Sequence, residues 1–317
     1  MAKILVTGAT GFVGKQLVPA LIEAGHEVRC AVTQQRPWLR VEQVLTPKLE
    51  ENPDWHDALA GIEVVIHLAA RVHVLRETDP AAGNQYKTVN SLATKKLAEQ
   101  AVAHGVRRFI FLSTIKVHGE FTLSEPFTEK SAPVPEDLYG QSKLLAEHYL
   151  QEIAQKSSLE VVILRPPLIY GPDVKANFLK MMQLVNKGFP LPFGRVNNQR
   201  HLLYVDNLVS AILMVIGHPA AANQTYLLAD DESLSLPQMM RILAQEMQVK
   251  LKLLPVPLSL MRAVFTLLRK PGLITRLFSS LEISNHKIKQ ELQWMPPVST
   301  NEGLKKTAQW YQREFIN

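Results

Sequence analysis

Two side chains suited to proton transfer, Tyr139 and Lys143, lie four residues apart in a helical pattern over 137–155. Residues at this spacing share one face of a helix, so the phenol and the ammonium group can converge on one point. A phenol is a weak base at its ordinary pKa of about 10. A neighbouring cation favours the phenolate and brings proton exchange with an alcohol closer to neutral pH. The same spacing also occurs on ordinary solvated helices, so the pair gains meaning only from its surroundings.

A second candidate for chemistry is a pair of hydroxyl residues, Ser113 and Thr114, at the end of an apolar run over 109–114. The run predicts a buried β-strand. In open α/β sheets, ligands bind beyond the carboxyl ends of the strands. Thr114 is therefore placed to hydrogen-bond the substrate oxygen whose proton Tyr139 handles. A threonine that simply finishes a strand is the alternative.

Three glycines near the N-terminus form the third motif. Gly8, Gly11 and Gly14 follow an apolar run over 4–7 and lead into a helical pattern over 13–24. Glycines at this spacing allow a tight turn, a close approach of the backbone to a pyrophosphate, and close packing of a helix on a strand. Between a strand and a helix, the motif predicts dinucleotide binding at the N-terminus of the helix.

The elements that must position these motifs alternate along the first half of the chain. β-branched runs followed by helical patterns predict a parallel, doubly wound sheet. The predicted strands are 4–7, 27–32, 41–45, 64–69, 109–114 and 161–165, and the clearest helices are 14–24 and 89–104. Further along, an apolar helix over 207–217 and a short strand over 224–228 are expected to return to the same unit.

Together the motifs resemble the extended short-chain dehydrogenase/reductase family, specifically its NAD-dependent nucleotide-sugar epimerases, dehydratases and 4-keto reductases. The resemblance runs over nearly the whole chain. The residues and stretches that carry it are Gly8, Gly11, Gly14, 65–70, Asn90, Ser113, Thr114, Tyr139, Lys143, 164–166, Arg200 and 205–206.

The resemblance implies that Thr114, Tyr139 and Lys143 are the catalytic residues, whereas His67 and Asn90 are structural. It implies a Rossmann-type doubly wound α/β fold with a smaller, mostly helical C-terminal substrate domain. The expected cofactor domain is 1–170, joined by about 203–228, and the expected substrate domain is 171–202 with 229–317. The residues expected to bind NAD or NADP are Gly8, Thr10, Gly11, Phe12, Val13, Gly14, Arg36, Leu68, Ala69, Ala70, Tyr139, Lys143 and Pro166. A homodimer through a helix bundle that includes the Tyr139 helix is also expected.

The stretch after the second strand bears on cofactor choice. An acidic residue there would bind the adenosine ribose hydroxyls of NAD. Residues 28–36 contain no acid, and Arg36 could instead neutralise the 2′-phosphate of NADP. The stretch therefore favours NADP slightly over NAD, with a solvated loop arginine as the alternative.

Several polar residues are candidates for the nucleotide-sugar substrate. Arg71, His73 and Arg76 lie in a polar loop, and such loops carry specificity. By resemblance Arg200, six residues before Asp206, is a ligand of the diphosphate, because arginine–phosphate contacts are strong and directional. The substrate-binding residues predicted are Arg71, Lys116, Asn177 and Arg200. For Lys116 a solvated position at the end of the strand is an equal alternative.

Departures from the family's motifs narrow the reaction. Dehydratases of this family carry an Asp-Glu pair after the hydroxyl residue, where this chain has Ile115 and Lys116, so 4,6-dehydration is disfavoured. Leu168 appears where UDP-glucose 4-epimerases carry an asparagine that contacts the sugar, and Asn177 is the candidate to replace it. The expected activity is hydride transfer at C4 of a nucleotide-diphosphate hexose, most simply a UDP-sugar, in cell-surface polysaccharide precursor synthesis. A 4-keto reductase is favoured weakly over a 4-epimerase, and a non-catalytic dinucleotide sensor or assembly subunit is the alternative.

The composition of the chain limits which partners and which cell compartment are expected. The net charge is +6 over 317 residues, but no basic tract is interleaved with aromatic residues, so nucleic acid is not an expected partner. Cys30 is the only cysteine, which suits a reducing compartment. The first strand begins near residue 3 and leaves no room for a signal peptide, so a cytoplasmic protein is expected. No metal site is expected. An apolar stretch over 258–281 is interrupted by charges and is not expected to span a membrane. It could be a lid, a core helix or a membrane-surface contact.

Overall fold

Seven parallel strands form the central sheet of the computed structural model, which describes residues 1–72, 80–267 and 277–316. The strands are β1 (Lys3–Thr7), β2 (Glu27–Val32), β3 (Glu42–Leu45), β4 (Val64–His67), β5 (Arg108–Leu112), β6 (Glu160–Arg165) and β9 (Gln224–Leu227), in the order β3-β2-β1-β4-β5-β6-β9. A second sheet pairs β7 (Ile169–Tyr170) with β8 (Leu203–Tyr204).

Helices cover the sheet and continue beyond it. They are α1 (Phe12–Glu23), α2 (His56–Leu59), α3 (Pro80–Tyr86), α4 (Ala93–Ala103), α5 (Leu138–Gln155), α6 (Ala176–Asn186), α7 (Val205–Gly217), α8 (Leu236–Glu246), α9 (Leu258–Leu267), α10 (His286–Leu292) and α11 (Thr300–Phe315). Short 3₁₀ turns cover Leu49–Glu51, Ile115–Val117 and Pro219–Ala221.

The central strands are buried on both faces, which is why they read as continuous apolar runs rather than alternating ones. Every residue of β4 is buried, as is all of β6 except Glu160. One face packs against α1 and α7, and the opposite face against α4 and α5. The predicted Rossmann-type, doubly wound parallel fold with a helical C-terminal part is confirmed.

The direction in which successive strands are added to the sheet reverses between β1 and β4. β2 and β3 lie on one side of β1, and β4, β5 and β6 lie on the other. Ligands of open α/β sheets bind at such a switch point, beyond the carboxyl ends of the strands. The glycine motif follows β1 and Thr114 follows β5, so both lie at this edge.

Several element boundaries differ from expectation by one or two residues, such as the strand predicted over 64–69, which ends at His67. Two further differences lie near the motifs. The predicted strand over 109–114 ends at Leu112, because Thr114 turns out of the sheet to cap the Ile115–Val117 turn. The predicted helix over 89–104 begins earlier, and its first part, Lys87–Leu92, is a π-helical segment between α3 and α4. π-Helical insertions are rare and occur often at functional sites.

After β6 the chain builds a second core and then returns to the sheet. A cluster of buried residues from α6, α8 and α11 packs around Tyr170 and Tyr204. β9 then pairs with β6, so the short strand expected near 224–228 lies in the main sheet. The expected division into a cofactor domain and a substrate domain stays a prediction.

The apolar stretch over 258–281 is described only at its two ends. α9 contributes Met261, which is 4% exposed, to the second core, and Leu281 is buried further on. Residues 268–276, with Arg269, Lys270 and Arg276, lie outside the described residues. In the part of the chain that the structure describes, no helix has the length and apolar character needed to cross a membrane.

Candidate active site

The glycine motif forms a tight loop between β1 and α1. Gly8 has φ +76°, and a Cβ there would lie 2.7 Å from the backbone nitrogen of Ala69. A Cβ on Gly14 would overlap the carbonyl oxygen of Gly8 and lie 2.6 Å from the Cα of Ala9. The first turn of α1 carries no acidic residue, and Gly11 caps it without a side chain. The loop therefore leaves backbone N–H groups of the helix start open to an anion, which fits a dinucleotide pyrophosphate.

Thr114 lies at the carboxyl end of β5 and is 8% exposed. Its Oγ1 accepts a hydrogen bond of 3.3 Å from the backbone N–H of Lys116. The backbone N–H of Ile115 donates to the Pro166 carbonyl oxygen at 2.8 Å, which ties the turn to the end of β6. Thr114 is thus held at the sheet edge where the motifs meet.

Tyr139 and Lys143 occupy one face of α5, one turn apart. Asp137 caps this helix by accepting a hydrogen bond of 2.7 Å from the backbone N–H of Gly140. Lys143 is 1% exposed; its Nζ atom donates to the Leu112 carbonyl oxygen at 2.8 Å and lies 4.3 Å from the centroid of the Phe111 ring. Burial lowers the pKa of Lys143 to about 7, although the Glu147 carboxylate opposes this shift.

The electrostatics of Tyr139 differ from the simplest expectation. We expected the neighbouring lysine to lower the pKa of the phenol. Instead, burial raises the pKa of Tyr139 above its ordinary value, and Asp137 and Tyr86 add to the rise. The physical reason is that burial removes water from the phenolate and so favours the uncharged phenol.

Lys116 does not extend freely into solvent. Its Nζ atom lies 2.6 Å from a carboxylate oxygen of Glu120 and 2.5 Å from Oδ2 of Asp137. Burial alone would lower the pKa of this ammonium group, but its hydrogen bonds to Asp137 and Glu120 raise it. The alternative of a solvated lysine is therefore wrong, while contact with a substrate stays a prediction.

Asn90 lies in the π-helical segment and joins three elements. Its side chain accepts a hydrogen bond from the Arg71 backbone N–H at 2.8 Å and donates to the Arg71 carbonyl oxygen at 3.1 Å. It also donates to Oγ of Ser142, on the Tyr139 helix, at 3.0 Å. Through these bonds Asn90 links the backbone of Arg71 to α5. They fit the structural role expected of Asn90.

His67 is likewise held by hydrogen bonds to its neighbours. It is fully buried at the end of β4, with Nδ1 2.6 Å from the Thr7 hydroxyl and Nε2 2.9 Å from the Thr94 hydroxyl. Burial, with a contribution from Lys143, lowers the pKa of His67 to about 3. A buried imidazole with both nitrogens engaged fits the structural role expected of His67.

A buried polar network behind the site was not anticipated. Glu147 is fully buried and forms an ion pair with Arg165 at the end of β6, and it also accepts a hydrogen bond from the Ser113 hydroxyl. Arg165 donates in addition to Nε2 of His118 at 2.8 Å. The sequence did carry one signal for this network. Glu147 lies one helical turn after Lys143, and residues at that spacing share one face of a helix.

The remaining residues predicted to bind the cofactor lie near the ends of β1, β2, β4 and β6. Pro166 is buried, the Leu68–Ala70 backbone passes the Gly8 loop, and Arg36 lies in the loop after β2 beside Gln43. Thr10 is exposed and Phe12 and Val13 begin α1. Their contacts with a cofactor stay predictions.

The predicted substrate residues are also spread over several elements. Arg200 donates from Nη1 to the Ser279 carbonyl oxygen at 2.9 Å, and Asn177 is exposed at the start of α6. The Nε atom of Arg71 is buried and lacks a hydrogen-bond partner within residues 1–72, 80–267 and 277–316. His73 and Arg76 lie outside the described residues.

The sequence of this chain is similar to those of known proteins. The model of the NAD dependent epimerase/dehydratase family matches residues 4–229. A UDP-glucose 4-epimerase of Vibrio cholerae is 41% identical over 312 residues, which covers 96% of this chain and 94% of the relative. A dTDP-glucose 4,6-dehydratase of Haemophilus influenzae is 28% identical and covers 98% of both chains.

Solved structures share the fold. A UDP-glucose 4-epimerase of Thermotoga maritima, with UDP-glucose, has a TM-score of 0.78 at 24% identity and covers 98% of this chain and 99% of its own. A UDP-glucuronic acid 4-epimerase of Bacillus cereus, in complex with NAD, gives the same TM-score and coverage at 22% identity. The seven-stranded parallel sheet, the glycine loop and the family match agree with one another. The chain belongs to the NAD-dependent epimerase/dehydratase family.

Proposed function

We propose that the protein transfers hydride at C4 of a nucleotide-diphosphate hexose, a UDP-sugar, with NAD or NADP as the cofactor. The observation that carries the proposal is the placement of Thr114, Tyr139 and Lys143 at the carboxyl edge of the sheet, where the glycine loop also lies. The Vibrio cholerae relative, a UDP-glucose 4-epimerase, supports a UDP-hexose as the substrate.

A bound nicotinamide would supply the hydride acceptor or donor at C4, with the glycine loop and Lys143 holding the dinucleotide. Tyr139 exchanges the proton of the C4 oxygen through its phenol oxygen. Thr114 hydrogen-bonds the same oxygen through Oγ1 and thereby orients it for transfer. Lys143, held at the Leu112 carbonyl, would hold the nicotinamide ribose and supply positive charge when protonated.

The substrate's diphosphate would bind Arg200, and the sugar would lie near Arg71, Lys116 and Asn177. Dehydration at C5 and C6 is not part of this proposal. Ile115 is 2% exposed and apolar, and the Lys116 ammonium group is engaged by two carboxylates. Neither side chain supplies the acid and base that elimination of water requires.

Two outcomes of the same chemistry are open to this site. A 4-epimerase oxidises C4, allows the keto sugar to rotate and reduces its other face, and the Vibrio cholerae relative supports this outcome. A 4-keto reductase delivers hydride once, and the lack of an acid after β2 supports an NADPH-dependent reductase. Either product would be an activated sugar suited to cell-surface polysaccharide synthesis. We further propose a homodimer through a helix bundle that includes α5.

A dinucleotide sensor or assembly subunit is the competing function. The presence of Thr114, Tyr139 and Lys143 together supports the enzyme over the sensor, since a sensor has no need of a proton-transfer residue.

The experiment is to denature the purified protein, identify any released nucleotide, and then assay UDP-glucose, UDP-galactose, UDP-N-acetylglucosamine and UDP-N-acetylgalactosamine for interconversion. A 4-keto UDP-hexose with NADPH completes the panel. Released NAD with interconversion of C4 epimers indicates the epimerase, and an empty protein that oxidises NADPH with the 4-keto sugar indicates the reductase. Binding of the cofactor with no turnover of any sugar contradicts the enzymatic proposal.

A further inference from the structure

We propose that Lys116 is a positioning residue that neutralises Asp137 and ties the Thr114 turn to the beginning of the Tyr139 helix. This inference rests on the proposed function, in which Tyr139 exchanges the proton at C4. It assigns Lys116 a role through other residues rather than direct contact with the substrate.

The first support is a continuous chain of contacts from Thr114 to α5. The backbone N–H of Lys116 donates to Oγ1 of Thr114 at 3.3 Å, and its Nζ atom lies 2.5 Å from Oδ2 of Asp137. Oδ1 of the same carboxylate accepts from the Gly140 N–H at 2.7 Å. One lysine therefore contacts the proposed orienting residue through its backbone and the cap of the Tyr139 helix through its side chain.

The second support is the close approach of the two segments. A Cβ on Gly140 would lie 2.8 Å from the carbonyl oxygen of Lys116 and 3.1 Å from Cβ of Pro135. Only glycine fits at that distance, so the turn and the helix start pack directly on one another. Movement of the Lys116 turn would therefore displace Tyr139, the residue next to Gly140.

The third support is the charge balance around Tyr139. After burial, the Asp137 carboxylate is the larger of the two neighbouring groups that raise the pKa of the phenol, and Tyr86 is the other. Lys143 lies one turn along α5, and Glu120 shares the ammonium group of Lys116. With Lys116 in place, a cation shared with Glu120 offsets part of the Asp137 charge. Without it, the carboxylate would act more strongly on the phenol.

The test compares K116M, K116R and the double variant K116M/D137N in oxidation of the C4 alcohol, with the active UDP-hexose of the panel above. In this direction the phenolate accepts the proton, so activity rises with pH through the pKa of Tyr139. Asparagine is also a good helix cap, so D137N removes the charge but keeps the capping oxygen. The pH dependence of kcat and KM is measured for all three variants and the wild type.

We expect K116M to move the rising limb of kcat about one unit to higher pH, which lowers kcat at neutral pH about tenfold. K116R is expected to keep the rising limb at the wild-type pH because it keeps the cation. K116M/D137N is expected to move the limb back, since it removes the unbalanced carboxylate. A merely structural role for Lys116 would not predict this recovery.

A tenfold loss in K116M without movement of the limb would overturn the inference, as would a double variant no better than K116M. A rise of KM with unchanged kcat would place Lys116 in contact with the sugar instead. If the wild type turned over no sugar, the proposed function would fail separately. The pairing itself would then be tested by urea unfolding: D137N should lower the unfolding midpoint in the wild type but not in K116M, and equal losses in both would overturn the pairing.

Discussion

The Nζ atom of Lys143 lies 2.8 Å from the carbonyl oxygen of Leu112, the last residue of β5. This bond joins the proposed catalytic helix to the strand that leads to Thr114. The ammonium group also lies 4.3 Å from the centroid of the Phe111 ring, and burial is the dominant influence on its pKa. Lys143 is thus fixed at the end of β5, and its burial makes the ammonium group easier to deprotonate.

This placement predicts a pH-dependent contribution to stability. The pKa of Lys143 is about 7 in the folded protein and 10.5 for an ordinary lysine. Between these values the unfolded chain binds a proton that the folded chain lacks, so the lysine's contribution to the free energy of unfolding rises with pH from about 7 to about 10. The slope for one proton is at most about 1.4 kcal/mol per pH unit.

The measurement is urea unfolding of the wild type and of K143M over that pH range. Methionine keeps much of the apolar stem and removes the titrating group. The difference in unfolding free energy, wild type minus variant, should rise across the range. Parallel curves for the two proteins would show that Lys143 keeps an ordinary pKa.

The glycine loop yields a second prediction. G14A should abolish cofactor binding or lower stability, because the new Cβ would lie 2.6 Å from Cα of Ala9. The matched control is G217A at the end of α7, where a Cβ meets nothing within 4 Å. Alanine is the better helix former by up to about 1 kcal/mol, so the control should be neutral or stabilising. Titration with NAD and NADPH and thermal unfolding test both variants. Normal binding together with normal stability of G14A would contradict the close packing.

The buried ion pair yields a third prediction. E147Q should lower the free energy of unfolding by about 3–5 kcal/mol, because it leaves the buried Arg165 guanidinium without a counter-charge. The matched control is E152Q on the same helix, whose partner Lys156 is 70% exposed along its side chain. That exposed pair is screened by solvent, so little change is expected. Equal losses in chemical denaturation would mean that the Glu147–Arg165 pair contributes no more than a surface pair.

Much of the fold follows from local sequence pattern. The strands of the first half are continuous apolar runs because both faces of a parallel sheet are covered, and such runs are visible in the sequence. The helix of Tyr139 was expected from 137, and α5 begins at Leu138 with Asp137 as its cap. The π-helical segment Lys87–Leu92 was missed, because the helical pattern over 89–104 does not distinguish a π-helical turn from an α-helical one.

The positions of Tyr139, Lys143 and Thr114 followed from the sequence, but their electrostatics did not. Lys116 pairs with Asp137 across 21 positions, and the Glu147–Arg165 pair spans 18, so neither contact has a local signal. The pKa of Tyr139 depends on burial, which is a property of the folded chain. The chemical groups are visible in the sequence, whereas the fold determines which of their charges are offset by a neighbour.

The most direct test of the proposed catalysis is Y139F, measured beside the control Y149F. Both tyrosines lie on α5, and the ring of Tyr149 faces Lys95 of α4 rather than the Gly8 loop. Y139F should lower turnover of the active UDP-hexose about 10²–10⁴-fold, the usual contribution of a positioned acid or base, while the dissociation constant for the cofactor stays unchanged. Y149F should keep both values. Undiminished turnover in Y139F would contradict the assignment of Tyr139 as the proton-transfer residue.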